Sequence, residues 1–274
     1  MVAELFDTHC HIHEADADYG HHTESRGRWH NADAKDADAL IAAAVTADVT
    51  RMICVGTTLE DSQHAVNFVS NRDHVWASVG LHPHEAKVYA GQQRLLQQFA
   101  DLVAKSKVVA VGECGLDYYY NHSPRQDQLA TLEFQLDLAR QHGLPVIFHV
   151  REAFDDLWPV LHNFPGIRGV IHSFTADQAV LRTVLDYGLY VGLNGIMTFT
   201  KDVEQLAAAK AVPLDRLVLE TDAPFLTPSP YRGKVCEPKH VAVTAEFLSR
   251  LRTESVEDLR QATTANACAL FRCV

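Results

Sequence analysis

Eight short runs of β-branched and aliphatic residues alternate along the chain with segments of helical spacing, and this alternation most constrains what the chain can fold into. The runs are Leu5–His11, Arg51–Gly56, Val75–His82, Val108–Glu113, Val146–Val150, Gly169–Phe174, Leu189–Asn194 and Leu217–Asp222. Between them, Leu95, Leu96, Phe99, Leu102 and Val103 form one apolar helical stripe, and Leu129, Leu132, Leu136 and Ala139 form another. The second stripe ends at Gly143, suited to a helix terminus, with Pro145 beyond it barring continuation. Two further helices are predicted, Val241–Leu251 and Ser255–Leu270, the last opened by Ser255 with Asp258 in capping-box spacing. A strand and helix in about 30 residues is the length of one βα unit. Eight of them predict a parallel sheet closed into a (β/α)8 barrel of TIM type, with extra C-terminal helices. A doubly wound open sheet would carry a glycine-rich turn after its first strand, where this chain has His9-Cys10-His11-Ile12-His13. No linker or composition shift interrupts the pattern, so residues 1–274 are expected to form a single barrel domain. The stretch Glu14–Asp33 is an insertion-like loop after the first strand, more in keeping with a mobile surface loop than with a lid.

Composition narrows the chemistry. With 47% hydrophobic residues the chain can bury a core without disulfides. Its 24 basic and 35 acidic side chains give a net charge of −11. That balance excludes a broad basic face for duplex DNA, but it allows a local site where bound cations meet an anionic substrate. No apolar run reaches the roughly 18 residues of a membrane span, and the N-terminal segment does not resemble a signal peptide. Six cysteines without close pairing (Cys10, Cys54, Cys114, Cys236, Cys268, Cys273) indicate a reducing compartment, so a cytoplasmic location is expected, a nuclear one being compatible.

Asp7, His9 and His11 alternate on the first predicted strand and so share a face. Paired imidazoles at that spacing suit zinc or manganese. The same residue types recur at other strand ends: Glu113, His149, His172 and Asp222. Strand ends converge in a barrel, so these residues can share one site. Four histidines and two carboxylates exceed the needs of one tetrahedral ion and fit two divalent ions (Zn, Mn or Mg) sharing a carboxylate. Glu113 is the expected bridge, with His9, His11 and Asp222 on one ion and His149 and His172 on the other. Asp222 is alternatively the general base toward water. Asp7 and Glu220 share faces with the ligands and are expected to orient them. His82 and His84 follow the third strand and can meet a phosphate or a third ion. Arg151 offers a bidentate phosphate contact, or else pairs with Glu152 or Asp155. Arg232, Lys234, Lys239 and His240 form a basic cluster able to guide a single strand. Of Tyr118, Tyr119 and Tyr120, some can stack a terminal base, but three successive side chains cannot all face one way.

The segments DTHCH, GLHPH, GECGLDYYY, PVIFHVREA, VIHSF and LVLETDAPFLTP, followed by RG and EP, resemble the TatD family in order from Asp7 to Pro238. The resemblance implies a TIM-type barrel, divalent metals bound by His9, His11, Glu113, His149, His172 and Asp222, and hydrolysis of DNA phosphodiesters, often from a 3′ end. The expected activity is thus a 3′–5′ exodeoxyribonuclease on single-stranded DNA ends, with Glu113 and Asp222 central to catalysis and His82, Arg151 and Arg232 contacting substrate. Some relatives are described as acting on aminoacyl-tRNA, so an ester or amide hydrolase is the alternative, and a non-catalytic nucleic-acid-binding barrel the second. The chain departs from the family pattern in its longer Glu14–Asp33 loop, in Cys114 beside Glu113, and in Cys236, which stands where an asparagine usually precedes Glu-Pro.

Overall fold

The computed structural model describes residues 3–32 and 36–273. Strand β1 (Leu5–Cys10) is followed by a 3-10 turn (Ile12–Ala15) and helices α1 (Glu24–Trp29) and α2 (Ala37–Thr46). Next come β2 (Val49–Val55), α3 (Leu59–Val69), β3 (Val75–Val79), α4 (Ala86–Tyr89) and α5 (Gln93–Val103). The alternation continues with β4 (Val108–Asp117), α6 (Arg125–His142), β5 (Val146–Arg151), α7 (Phe154–His162) and β6 (Gly169–Ile171). Then follow α8 (Gln178–Asp186), β7 (Tyr190–Leu193), α9 (Val203–Ala211), β8 (Leu217–Leu219), α10 (Val241–Arg252) and α11 (Val256–Phe271). The strands follow one another from β1 to β8 in a single parallel sheet. Past the end of β8 the chain returns to β1: Asp222 N–H donates to the His9 carbonyl and His11 N–H to the Ala223 carbonyl, both at 2.8 Å. This is the expected (β/α)8 barrel topology with additional C-terminal helices.

The chain divides into two compact units, residues 1–54 with 173–272, and residues 55–172. In the first, Leu5, Phe6, Val191 and Leu217 are buried, and β1 and β8 pack against α10 and α11. In the second, β3 to β6 bury Val111 and Phe148, and α6 lays Leu132, Leu136 and Ala139 against β4. That helix ends as its sequence requires, with Gly143 at φ 65°. Ser255 caps α11 by accepting the Asp258 N–H at 3.0 Å.

The segment after β1 is more folded than an open loop. It forms α1, seats Trp29 in the interior with its indole N–H on the His11 carbonyl at 3.0 Å, and anchors Arg26 to the carbonyls of Glu14 and Asp16. Asp33, its expected end, lies outside the described residues. Strand limits also shift. β4 runs four residues past Glu113 to Asp117, whereas β3 stops at Val79 and β8 at Leu219, leaving His82 and Asp222 on the loops that follow. Asp222 stands at φ 61°, which no strand accommodates.

Two glutamines on α6, seven residues and so about two turns apart, hold the loops after β3 and β4. Gln135 accepts the Leu81 N–H at 2.8 Å and donates to the Leu81 carbonyl at 3.1 Å. Gln128 does the same for Asp117, at 2.8 and 3.1 Å. Both glutamines are fully buried. Truncating Gln135→Ala strands two buried backbone groups, each worth about 1–3 kcal/mol. The expected result is a loss of about 2–4 kcal/mol in urea unfolding; an unchanged midpoint contradicts this account of how the loop is held.

Candidate functional site

In the first unit, β1 and the loop after β8 bring His9, His11 and Asp222 together. His9 is fully buried and His11 nearly so. Their Nε2 atoms lie 3.7 and 3.4 Å from one oxygen, Asp222 Oδ1. These spacings are long for hydrogen bonds. They fit donors around one ion, because ligands at 2.0–2.1 Å from a tetrahedral metal stand roughly 3.3–3.4 Å apart. Asp7 does not reach this group. Its oxygens accept the Thr221 N–H at 2.8 Å and the Thr221 hydroxyl at 2.6 Å, which ties β1 to the residue before Asp222. Burial pushes the Asp7 carboxyl well above the usual carboxylate range, against the pull of those hydrogen bonds. Glu220 accepts the N–H of Ser173, the residue after His172, at 2.6 Å. Gly192 leaves it room, since a Cβ there would stand 2.4 Å from Glu220 Oε2.

In the second unit, Glu113 Oε1 is ringed by imidazole nitrogens: His149 Nδ1 at 2.7 Å, His82 Nε2 at 3.5 Å and His172 Nε2 at 3.9 Å. Gly115 (φ 151°) lets β4 close on β5 beside His149, where any Cβ would meet the His149 carbonyl. The other ring nitrogen of His149 bonds Asp117 Oδ2 at 2.8 Å, and His84 Nε2 meets the same oxygen at 3.0 Å. Burial acts against the Glu113 carboxylate, but the imidazoles of His82 and His172 and the hydrogen bond from His149 outweigh it and hold its pKa well below the usual range. Burial likewise opposes a charged His149, yet its bonds to Asp117 and Glu113 raise it to about 9. His82, buried beside His149, is lowered to about 4. Donor atoms of His82, His84 and His149 lie within 4.8 Å of one another, a group also suited to a cation. The nitrogen and oxygen donor sets of both units fit divalent metal.

The remaining predicted residues fall in three kinds of place. Arg151 does not pair with Glu152 or Asp155; its guanidinium lies 4.2 and 4.8 Å from the ring centres of Tyr119 and Tyr120. Tyr118 is the packing member of its triplet, with its hydroxyl on Asp156 at 2.7 Å and Arg125 over its ring. The basic cluster is partly spent internally: Lys239 pairs with Glu237 at 2.6 Å, and buried His240 accepts the Glu237 N–H. Arg232 stays exposed, bonded to the Thr227 carbonyl and 3.8 Å over the Phe199 ring. Cys236 is wholly buried and presents nothing to a substrate. Asp117 and Thr221 are the members of the candidate site that spacing missed. Both lie inside the family-like motifs, but only a fold reveals that they hold His149 and Asp7.

A family model described as TatD related DNase matches residues 6–272. The chain is 37% identical over 270 residues to the Escherichia coli K12 protein named "Uncharacterized metal-dependent hydrolase YcfH", covering 97% of this chain and 95% of that protein. It is 33% identical over 246 residues to the Klebsiella pneumoniae "3'-5' ssDNA/RNA exonuclease TatD", covering 86% and 92% of the two. Among solved structures, the YJJV TatD homolog of Escherichia coli K12 superposes with a TM-score of 0.86 at 27% identity, covering 100% of both chains.

Because the His149 pKa is raised on folding, the contribution of its charge to stability is full below its unfolded value of about 6.5. It is lost as pH rises through about 9. The metal-free wild type is therefore expected to lose its stability advantage over His149→Asn between pH 7 and 9.5 in urea unfolding. A difference constant across that window contradicts the assignment.

Proposed function

This chain belongs to the TatD-related DNase family, as a metal-dependent hydrolase acting on ester bonds, and we propose that it removes nucleotides from the 3′ ends of single-stranded DNA. The observation that carries this reading is the pairing of ligand sets at strand ends, His9, His11 and Asp222 in one unit and Glu113, His149 and His172 in the other. In this reading His9, His11 and Asp222 would hold one divalent ion, and Glu113, His149 and His172 would hold a second. Bound ions of this kind supply positive charge to the phosphoryl oxygens and make water acidic enough to attack at neutral pH.

The protein's own groups do the rest. Asp222, with 17% of its side chain exposed, is placed to take the proton of the attacking water. Arg151, with no carboxylate partner among the described residues, orients the terminal phosphate through its planar fork. His82, its Nδ1 accepting the His84 N–H at 3.1 Å, presents its Nε2 edge beside Glu113 to the phosphate. Arg232 meets the backbone further along the strand. The name of the Klebsiella relative supports both the 3′ polarity and the single-stranded substrate. The cysteine content supports work in the cytoplasm. Among the described residues no helix is long and apolar enough to cross a membrane.

Glu113→Gln and Asp222→Asn, assayed on single-stranded DNA at saturating manganese or magnesium, are expected to cut the rate by about a hundredfold or more, the range for removing a group that moves a proton or holds its partner. Wild-type rates in either variant overturn the assignment. Release of amino acid from D-aminoacyl-tRNA, with DNA untouched, overturns the substrate.

A further inference from the structure

We propose that Tyr119, Tyr120 and Arg151 form a platform for one unpaired nucleobase and its adjoining phosphate, so that this chain selects single-stranded ends by stacking. The inference rests on the nucleic-acid substrate proposed above and adds the residues that read the base. Tyr119 and Tyr120 are 55% and 50% exposed, two of the large hydrophobic side chains left in solvent among the described residues. Their rings stand 4.9 Å apart at 90°. Arg151 lies against both, and Tyr120 is stacked on His122 with 4° between planes. A guanidinium braced on rings is already oriented, so it loses little freedom when it meets a phosphate. Its lack of an ion pair among the described residues, in a chain of net charge −11, points to an anion from outside.

A second observation ties the platform to the chemistry. One oxygen of Asp117 accepts the backbone N–H groups of Tyr119 and Tyr120, at 3.1 and 2.9 Å. The other bonds His149 at 2.8 Å. In the β4–β5 register Asp117 stands opposite Arg151, and Gly115 opposite His149. The rings, the guanidinium and the His149–Glu113 pair are therefore fixed through one carboxylate and one strand pair. A base held there places its phosphate toward Glu113 and His149. A duplex end exposes only the outer face of its last base pair, whereas the corner between two rings at 90° meets a base by face and by edge, so the occupant is an unpaired terminus.

The probes are two otherwise identical single-stranded oligonucleotides, one ending in 3′ thymidine and one in a 3′ tetrahydrofuran abasic residue. Base stacking is worth enough that the wild type is expected to favour the base-bearing end roughly tenfold in kcat/KM. The preference should lie mostly in KM. Tyr119→Ala/Tyr120→Ala is expected to bring the ratio close to one, and Tyr119→Leu and Tyr120→Leu, which keep the bulk, to lower it singly. Thermal unfolding confirms that each variant is folded. A folded variant that keeps the full ratio overturns the platform. If the wild type cleaves neither probe, the exonuclease reading fails. The platform is then decided by binding of the same two probes in EDTA, measured by fluorescence anisotropy, where equal affinities overturn it.

Discussion

Asp117 is the acceptor on which much of the second unit depends. Fully buried, it takes hydrogen bonds from two imidazoles and two backbone N–H groups, and its own carbonyl and N–H are gripped by Gln128. Burial alone raises a carboxyl pKa. Here the donors around it outweigh burial and hold Asp117 far below the usual range, so the negative charge is retained in the interior. The consequence is directional. With one nitrogen of His149 committed to Asp117, the other is turned to Glu113 at 2.7 Å. A metal ligand whose second nitrogen is fixed in this way presents one tautomer and one orientation. The first unit repeats the logic with different parts, since Asp7 holds Thr221 and thereby the backbone that carries Asp222.

These clamps explain what the sequence disclosed and what it withheld. The positions of the candidate ligands were legible because each follows an apolar β-forming run, as in Val146–His149 or Gly169–His172. The alternation along β1 put His9 and His11 on one side by geometry alone. Strand limits near the site were less legible, because side chains distant in sequence set them. β4 continues beyond Glu113 because Gly115 permits close approach to β5, and the chain leaves β8 at Leu219 where Thr221 turns to Asp7. Nothing in the sequence separates Gln128 and Gln135 from other polar positions on a helix. Only folding shows them inside, bonded to peptides up to 54 residues away.

The acidity of the chain and the anionic substrate proposed for it are reconciled locally. A strongly basic surface would hold nucleic acid everywhere along its length. Among the cations considered for substrate contact, Lys239 and His240 are engaged with Glu237, while Arg151 and Arg232 rest on aromatic rings. Cations supplied by bound metal would carry most of the positive charge at the reacting phosphate. That arrangement favours a short contact at a chain end over a long track.

The central claim, metal-dependent removal of nucleotides from single-stranded 3′ ends, is tested most directly with single-stranded DNA labelled at either end. Digestion is followed in EDTA and with added magnesium, manganese or zinc. The account predicts no reaction in EDTA, and with metal an immediate loss of 3′ label as single nucleotides while the 5′ label shortens stepwise. Cleavage indifferent to EDTA, or loss of the 5′ label first, would contradict it.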